Sequence, residues 1–358
     1  MDINDLLRRA VDEGASDLHL KVAAPPVFRI NGRILPQQNL PVCSKEDLET
    51  ILNQVSNEEQ RQSFAKDREL DCAYSVSGLA RFRVNVMQQR GTMGFAFRQV
   101  PFKIPSIDEL RLPLICKELV LKPRGLILVT GPTGSGKSTT MAAMIDHLNR
   151  TAPKSIITIE DPIEFLYRDQ QCIISQRDLG DDTKSFPAAL VHALRHDPDV
   201  IVVGEMRDLQ TISTALMAAE TGHLVLGTLH TSDAPQTIDR IIDIFPAQQQ
   251  RQVRLQLSQV LEAVLTQALL PRLDGKGRVA AFEILIPSTA VRNLIREERL
   301  HELPGVMQVS SKDGMVTLDQ ALVDLVRRKI VGLEDALAVS SNPKRLKVQL
   351  EAAMGAMR

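Results

Sequence analysis

The feature that most constrains this chain is the stretch from residue 125 to residue 140, GLILVTGPTGSGKSTT. Consecutive apolar residues at 126–129 are typical of a strand buried on both faces of a parallel sheet. The residues that follow match G-x-x-x-x-G-K-[ST], a glycine-rich loop whose backbone N–H groups turn inward ahead of a helix. Such a loop binds phosphate groups. The stretch therefore predicts an α/β fold with a nucleotide site at the end of this strand.

The loop supplies the first candidate site residues. Lys137 is placed to reach the β- and γ-phosphates of a nucleoside triphosphate, and the Ser138 hydroxyl is placed to ligate Mg²⁺. The nucleotide-binding residues predicted in this segment are Gly131, Pro132, Thr133, Gly134, Ser135, Gly136, Lys137, Ser138 and Thr139.

Composition narrows the class of protein. A chain of 358 residues with 44% hydrophobic content can form two domains with substantial cores. A net charge of −1 and an aromatic content of 3% argue against a protein that coats nucleic acid or stacks on its bases. The four cysteines are widely spaced and predict neither a zinc ribbon nor a disulfide framework. With no apolar run long enough for a bilayer and no secretory signal, we expect a cytosolic protein.

Residues 1–98 predict a mixed α/β domain. An opening helix begins at about Ile3, and Asn31-Gly32 between two apolar arms predicts a hairpin turn. Ser56 with Glu59 predicts a capping box at the start of a short helix. Residues 99–113 carry three prolines from Pro101 onward and predict a linker.

Arginines follow the strand pattern at the end of this domain. Residues 80–87, ARFRVNVM, alternate strictly, with Arg81 and Arg83 on the polar face. If the following GFAFRQV segment pairs with them, Arg98 falls near Arg83, where like charges favour a bound anion. Two interpretations stay open: a solvated basic face, or arginines that meet nucleotide phosphates.

Beyond the linker, apolar strands alternate with helical segments, which predicts a parallel sheet covered by helices. The predicted strands after the phosphate loop are residues 155–160, 200–205, 223–230 and 279–286. Asp274-Gly275 predicts a hairpin ahead of the last strand. The chain is predicted to close with helices, one of them from about Thr317.

Polar side chains stand at three of these strand ends, where open α/β sheets bind ligands. EDPIE supplies Glu160, Asp161 and Glu164, which can hold Mg²⁺ or form an acidic solvated turn. Glu205 follows a buried strand, the usual place for a carboxylate that holds metal or orients water. His223 and His230 flank another strand, and without regular metal-ligand spacing their default role is structural.

Four segments together resemble one family. GPTGSGKST, TIEDPIEF, DPDVIVVGEMRD and TGHLVLGTLHTSDA are similar to the Walker A, Asp-box, atypical Walker B and His-box segments of secretion ATPases. Within that superfamily, AVRNLIRE at 290–297 resembles the AIRNLIRE motif of the PilT family of type IV pilus retraction ATPases. The tetracysteine zinc insertion of the pilus-extension and type II secretion relatives is absent.

The resemblance implies an α/β architecture with a PAS-like α+β domain (1–98), a linker (99–113) and a RecA-like P-loop ATPase domain with C-terminal helices (114–358). It also implies ATP and Mg²⁺ as ligands, a homohexamer, and pilus retraction at the cytoplasmic face of the inner membrane. The candidate partners are an inner-membrane pilus platform protein and an accessory retraction ATPase, with no nucleic acid.

The resemblance further implies residue roles. Glu205 activates water, and Glu164 assists at the metal with Ser138. His223 and His230 sense phosphate. The catalytic set implied in this way is Lys137, Glu164, Glu205, Arg81, Arg83 and Arg98; whether the arginines act within one chain or between chains stays open.

Three rival functions make different demands on the sequence. A nucleic-acid translocase disagrees with the charge and the aromatic content, and a regulator without hydrolysis disagrees with the intact Lys137 and Glu205. An accessory paralogue that works only beside a second ATPase is the nearest rival. In AVRNLIRE, a predicted apolar face (Ala290, Val291, Leu294, Ile295) leaves Arg292 and Arg296 on another face of the helix. That second face is either merely solvated, with its charge offset by nearby glutamates, or it transmits force or contacts the pilus machinery, and we expect the latter.

Overall fold

The computed structural model describes residues 1–30, 32–100 and 103–355. It divides the chain into two compact units, Met1–Lys103 with Ile163–Leu166 and Ile104–Pro162 with Tyr167–Arg358. The division after Lys103 falls within the segment predicted as a linker. Asn31 of the predicted hairpin turn and Pro101 of the predicted linker lie outside the described residues. None of the described helices combines the length and the apolar character required to cross a membrane.

The first unit is built on a six-stranded antiparallel sheet. Its strands are β1 (Asp17–Lys21), β2 (Val27–Ile30), β3 (Arg33–Pro36), β4 (Glu69–Val76), β5 (Ala80–Gln89) and β6 (Thr92–Val100). Its helices are α1 (Ile3–Asp12), α2 (Lys45–Val55) and α3 (Glu58–Asp67). The strands lie in the order β3-β2-β1-β6-β5-β4, and the predicted hairpin joins β2 to β3.

Side-chain alternation decides which face of this sheet is buried. Phe82 and Val84 on β5 are buried, and Arg83 between them is exposed. On β6, Phe95 and Phe97 stack in the same core with ring centroids 5.9 Å apart. The predicted alternation is confirmed, and the arginines lie on the face opposite the core.

One helix start differs from the prediction. The cap of α3 is Asn57, whose side chain accepts from the Gln60 backbone N–H, while the Gln60 side chain accepts from the Asn57 backbone N–H. Ser56 instead ends α2 and donates its hydroxyl to the Leu52 carbonyl. The predicted capping box of Ser56 with Glu59 is wrong by one residue, because serine and asparagine are equally good caps.

The second unit is built on a seven-stranded sheet. Its strands are β7 (Gly125–Thr130), β8 (Ser155–Glu160), β9 (Ile173–Asp178), β10 (Val200–Val203), β11 (Leu224–Leu229), β12 (Leu261–Pro271) and β13 (Arg278–Leu285). Its helices are α4 (Ile115–Leu119), α5 (Lys137–Thr151), α6 (Phe186–Ala193), α7 (Leu209–Glu220), α8 (Ala234–Asp243), α9 (Ala247–Val260), α10 (Thr289–Arg296), α11 (Leu303–Val309), α12 (Leu318–Arg327), α13 (Leu333–Val339) and α14 (Pro343–Gly355).

The sheet order is β13-β12-β7-β11-β10-β8-β9. All neighbours from β12 to β9 are parallel, as the alternation of strands and helices predicts. β13 is antiparallel to β12 through the predicted hairpin at Asp274-Gly275, where Gly275 has a φ of +69°. Two strands of this sheet, β9 and β12, are absent from the sequence prediction. β12 begins directly after α9, and its opening residues LEAVL suit a helix as well as a strand, so pairing with β7 decides its conformation.

The C-terminal helices pack on the β12–β13 hairpin. Leu270 of β12, Leu322 of α12 and Val331 belong to one buried cluster there. Thr317 caps α12 and forms a capping box with Gln320, which confirms the predicted helix start. This cluster joins the helices to the same strand that lies beside β7.

Helix α10 contains most of the AVRNLIRE segment, and its buried and exposed residues differ in part from the prediction. Val291, Leu294 and Ile295 are buried as predicted, but Ala290 is exposed. Arg292 does not point freely outward. Its guanidinium donates to the carbonyls of Ser258 and Gln259 and lies 3.5 Å from a Glu262 oxygen (the groups contacted are the last turn of α9 and the start of β12).

Candidate functional site

The phosphate loop connects β7 to α5. Gly131 has a φ of +138° and Gly136 a φ of +92°, in the region that favours glycine. A Cβ on Gly131 would also lie 2.3 Å from the Gln267 carbonyl oxygen, so a larger residue does not fit. Because the cap residue of α5 is Gly136, no side chain caps the first turn of the helix. The positive end of α5 is therefore available to an anion.

Lys137 lies folded against this loop. Its Nζ donates to the carbonyls of Gly131 at 2.9 Å and Pro132 at 3.1 Å, and only 9% of the residue is exposed. The same Nζ lies 3.4 Å from Nδ1 of His230, which follows β11. The ammonium group is thus held at the mouth of the loop by carbonyl oxygens, the kind of oxygen ligand that a phosphate replaces.

His230 joins the phosphate loop to Glu205. The Nε2 atom of His230 lies 3.1 Å from Glu205 Oε1, and Arg207 makes an ion pair with the same carboxylate. A neutral imidazole protonated at Nε2 accepts from Lys137 and donates to Glu205, so both contacts are satisfied together. The predicted Lys137, Glu205 and His230 are therefore brought together at the carboxyl edge of the sheet.

Glu160 and Asp161 reach the same edge at the end of β8. Glu160 Oε1 accepts from Thr158 Oγ1 at 2.6 Å and from Gln176 Nε2 at 3.1 Å. Gly204, just before Glu205, packs directly on this segment: a Cβ there would lie 3.0 Å from the Ile159 carbonyl oxygen and 3.1 Å from the Glu160 Cα. This close approach explains why glycine stands where a more usual Walker B segment ends in aspartate.

His223 is not brought to this edge. It precedes β11 as His230 follows it, and its carbonyl accepts from the Gly125 N–H at the start of β7. A strand of this length spans about 20 Å, so the two histidines lie at opposite edges of the sheet. Within this chain His223 therefore lies apart from Lys137, Glu205 and His230, and its implied role as a nucleotide-binding residue stays a prediction. The His223 ring instead lies 3.0 Å from the Ala218 carbonyl oxygen at the end of α7.

Glu164 and the arginines belong to the first unit. Glu164 lies in Ile163–Leu166, which clusters with that unit. Arg83 on β5 and Arg98 on β6 are directly opposed, as predicted. Arg81 lies two residues before Arg83 on the same face of β5.

Carboxylates of the same unit compensate the opposed arginines, which the sequence interpretation missed. Arg98 donates to Asp17 at 2.8 Å, and Arg29 lies 3.7 Å from the other oxygen of Asp17. Arg83 lies 3.9 Å from Asp71. Burial raises the pKa of Asp17, but the hydrogen bonds from Arg98 and Ser16 outweigh it and leave that pKa lowered. The exposed Arg98 side chain is thus held in place by a buried carboxylate.

A second missed residue is Glu283 on β13. One oxygen accepts from the Ala234 N–H at 2.8 Å and the other from the Leu318 N–H at 3.3 Å, the first residues of α8 and α12. Burial raises the pKa of this carboxyl to about 7. Glu283 therefore ties the helix that begins shortly after His230 to the C-terminal helices.

Comparison with known proteins extends these observations to the whole chain. A family model described as Type II/IV secretion system protein matches residues 107–323. The type IV pilus retraction ATPase PilT of Pseudomonas aeruginosa is 46% identical over 344 residues, 96% of this chain and 99% of that protein. The type IV pilus ATPase PilU of the same organism is 44% identical over 352 residues, 98% of this chain and 92% of that protein.

The fold agrees with the sequence similarity. A crystal structure of the pilus retraction motor PilT with bound ADP matches with a TM-score of 0.90 and 49% identity, covering 97% of this chain and 99% of that one. The α/β fold is therefore that of a secretion ATPase, and the resemblance predicted from the sequence motifs is confirmed. The chain belongs to the family of type II/IV secretion system proteins.

Proposed function

We propose that this chain is an ATP-hydrolysing motor that drives type IV pilus retraction, the depolymerisation of pilin that powers twitching motility. The observation that carries the proposal is the contact chain Lys137–His230–Glu205 at the phosphate loop. The similarity to a retraction ATPase over nearly the whole chain gives the motor its task.

The proposed architecture follows from the two units. The antiparallel first unit acts as a PAS-like domain and the parallel second unit as a RecA-like ATPase domain. Six copies assemble into a ring at the cytoplasmic face of the inner membrane, where an inner-membrane platform protein of the pilus is the partner. An accessory retraction ATPase is a second partner, and nucleic acid is not one.

The residues of the second unit divide the hydrolysis between them. Lys137 exchanges the carbonyls of Gly131 and Pro132 for the β- and γ-phosphate oxygens of ATP. Glu205 orients the attacking water and takes its proton as the bond to the β–γ bridging oxygen breaks. His230 contacts both Lys137 and Glu205. Loss of the γ-phosphate changes the contacts of Lys137, and His230 passes that change to Glu205.

The residues present suit Mg²⁺. Ser138 is the second residue of α5, beside Lys137, and its half-buried hydroxyl is a suitable magnesium ligand. No group of three or more histidine, cysteine, aspartate or glutamate side chains forms a metal cage in the described part of the chain. Mg²⁺ commonly takes only one or two protein ligands together with phosphate oxygens and water. We propose Ser138, Glu164 and Glu205 for that role, directly or through water; when bound, the ion neutralises phosphate charge.

The arginines of the first unit are proposed to meet the nucleotide. Arg98 is 71% exposed yet anchored on Asp17, which leaves the rest of its guanidinium available to an anion. Arg81 and Arg83 lie on the same face of the sheet. An arginine that reaches the transferring phosphate is worth about 10³-fold or more in turnover.

One observation favours the accessory paralogue as a second candidate. Identity to PilU, at 44%, is nearly as high as identity to PilT, at 46%. A primary motor retracts pili alone, whereas an accessory ATPase works only beside one.

The test is a deletion with complementation in the host. Loss of the gene should leave surface pili accumulated while twitching stops. Expressing the chain in a host stripped of every other retraction ATPase should restore twitching. Unchanged piliation and twitching in the deletion strain would reject the motor, and restoration only beside a second ATPase would select the accessory role.

A further inference from the structure

Gln267 on β12 contacts both ends of the phosphate loop. Its backbone carbonyl forms the wall beneath Gly131, 2.3 Å from where a Cβ would stand. Its side-chain Nε2 donates to the Ser135 carbonyl and lies 3.1 Å from where a Cβ of Gly136 would stand. The residue is 2% exposed. A buried side-chain amide needs hydrogen-bond partners, and the Ser135 carbonyl is one of them.

The contact is set by the register of the sheet. β12 runs parallel to β7, with Thr266 opposite Thr130 and their hydroxyls 2.8 Å apart. Gln267 follows Thr266 on β12, and Gly131 follows Thr130 just beyond the end of β7. Gln267 is 132 positions from Ser135 in sequence, and only the pairing of these strands brings the two together.

Two buried polar atoms beside this contact have no hydrogen-bond partner among the described residues: Oε1 of Gln267 and Oγ of Ser135. An unpaired buried polar group costs about 1–3 kcal/mol. An unsatisfied acceptor of Gln267 and an unsatisfied hydroxyl of Ser135 therefore lie next to the place where phosphates are expected. Unpaired polar atoms at this position are consistent with a loop whose hydrogen bonds are completed when a ligand binds.

We propose that Gln267 is a positioning residue that fixes the phosphate loop from below by holding the Ser135 carbonyl. With that carbonyl held, the N–H groups at the start of α5 and the Nζ of Lys137 are aimed at the phosphates. Gln267 itself touches no phosphate. The proposal rests on the proposed function, because it assumes that the loop binds a nucleotide.

The test is the affinity of the full-length protein for ADP and for inorganic pyrophosphate, which occupies only the loop. Gln267→Met keeps the length of the side chain and removes both polar atoms. We expect the dissociation constants of ADP and pyrophosphate to rise together by about tenfold, the scale of one lost hydrogen bond. Thr266→Val is the matched control, since it loses a buried hydrogen bond from the same strand without touching Ser135. Its affinities should stay within about threefold of the parent.

All variants are measured well below their unfolding temperatures, so that loss of folded protein does not contribute. If Gln267→Met does not fold, Gln267→Asn is used, because it keeps an amide but is one methylene too short to reach Ser135. Affinities within twofold of the parent for the folded Gln267 variant would overturn the positioning role. Failure of the parent itself to bind ADP would instead overturn the proposed function.

Discussion

Glu283 gives the sharpest test of how the second unit is held together. Its carboxylate accepts from the first N–H groups of α8 and α12, and it is 8% exposed. Burial raises its pKa from an ordinary 4.5 to about 7, against the two backbone hydrogen bonds, which lower it; Asp233 and Asp319 raise it further. In the folded protein the carboxyl therefore binds its proton more tightly than in the unfolded chain.

The sign and size of the effect follow from linkage. A raised folded-state pKa means that the contribution of Glu283 to stability is complete below pH ~4.5 and is lost as pH rises toward ~7. A shift from 4.5 to about 7 corresponds to about 3 kcal/mol of unfolding free energy over that window. Above pH ~7 the contribution of Glu283 to the unfolding free energy should no longer change with pH.

The perturbation is Glu283→Gln, which cannot ionise but keeps one acceptor. Urea unfolding of parent and variant, followed by far-UV circular dichroism from pH 5 to pH 8 at one protein concentration, gives the difference in unfolding free energy. We expect the unfolding free energy of the parent to fall by about 2–3 kcal/mol relative to that of the variant as the pH rises, because only the parent ionises at position 283. The other titrating groups are common to both proteins, so their effects cancel in the difference. A difference that stays flat would give Glu283 an ordinary pKa. A difference that grows in favour of the parent would mean that the two helix N-termini stabilise the anion more than burial penalises it.

Three other predictions concern hydrolysis and helix α10. Lys137→Ala should weaken ATP binding, whereas Glu205→Gln should bind ATP but turn over at least ~100-fold more slowly; equilibrium binding and steady-state ATPase assays separate the two, and normal turnover by Glu205→Gln would remove it from the catalytic set. If the arginines act between subunits, mixing inactive Arg83→Ala chains with inactive Glu205→Gln chains should restore some ATPase activity, and no rescue at any ratio would favour a role within one chain. Arg292→Ala should lower the unfolding free energy by about 2 kcal/mol, since two charge-assisted hydrogen bonds to the end of α9 are lost. Arg296→Ala is its control and should change that free energy by less than ~0.5 kcal/mol. Equal effects of the two substitutions in urea unfolding would refute the proposal that Arg292 stabilises the end of α9 through the Ser258 and Gln259 carbonyls.

The phosphate loop could be predicted because its signal is local. Its glycines, Lys137 and Ser138 stand within one short segment, and strand, loop and helix follow in order. The exposed arginine face of β5 was predictable for the same reason, because alternation with period two is visible in a few residues.

The supporting residues could not be predicted in this way. Asp17 meets Arg98 across 81 positions, Glu283 meets Ala234 across 49, and Gln267 meets Ser135 across 132. Each is one polar residue within a strand, and its partner is fixed only by sheet order and register. Sequence spacing carries no signal for such contacts.

His223 and Arg292 show that a local sequence pattern does not determine what surrounds a side chain in the fold. The resemblance to the His-box groups His223 with His230, whereas β11 separates these two residues by its full length. Helical spacing places Arg292 on a side of α10 away from its apolar face. In the fold the end of α9 lies against that side of α10. The force-transmission role expected of Arg292 and Arg296 stays a prediction, with Arg292 held against the end of α9.

The central claim is that ATP hydrolysis through Glu205 drives pilus retraction. The direct measurement follows individual labelled pili in a strain that lacks the gene and carries either the parent chain or Glu205→Gln at matched protein levels. We expect pili to extend in both strains but to retract only with the parent chain. Retraction at the parental frequency with Glu205→Gln would contradict it.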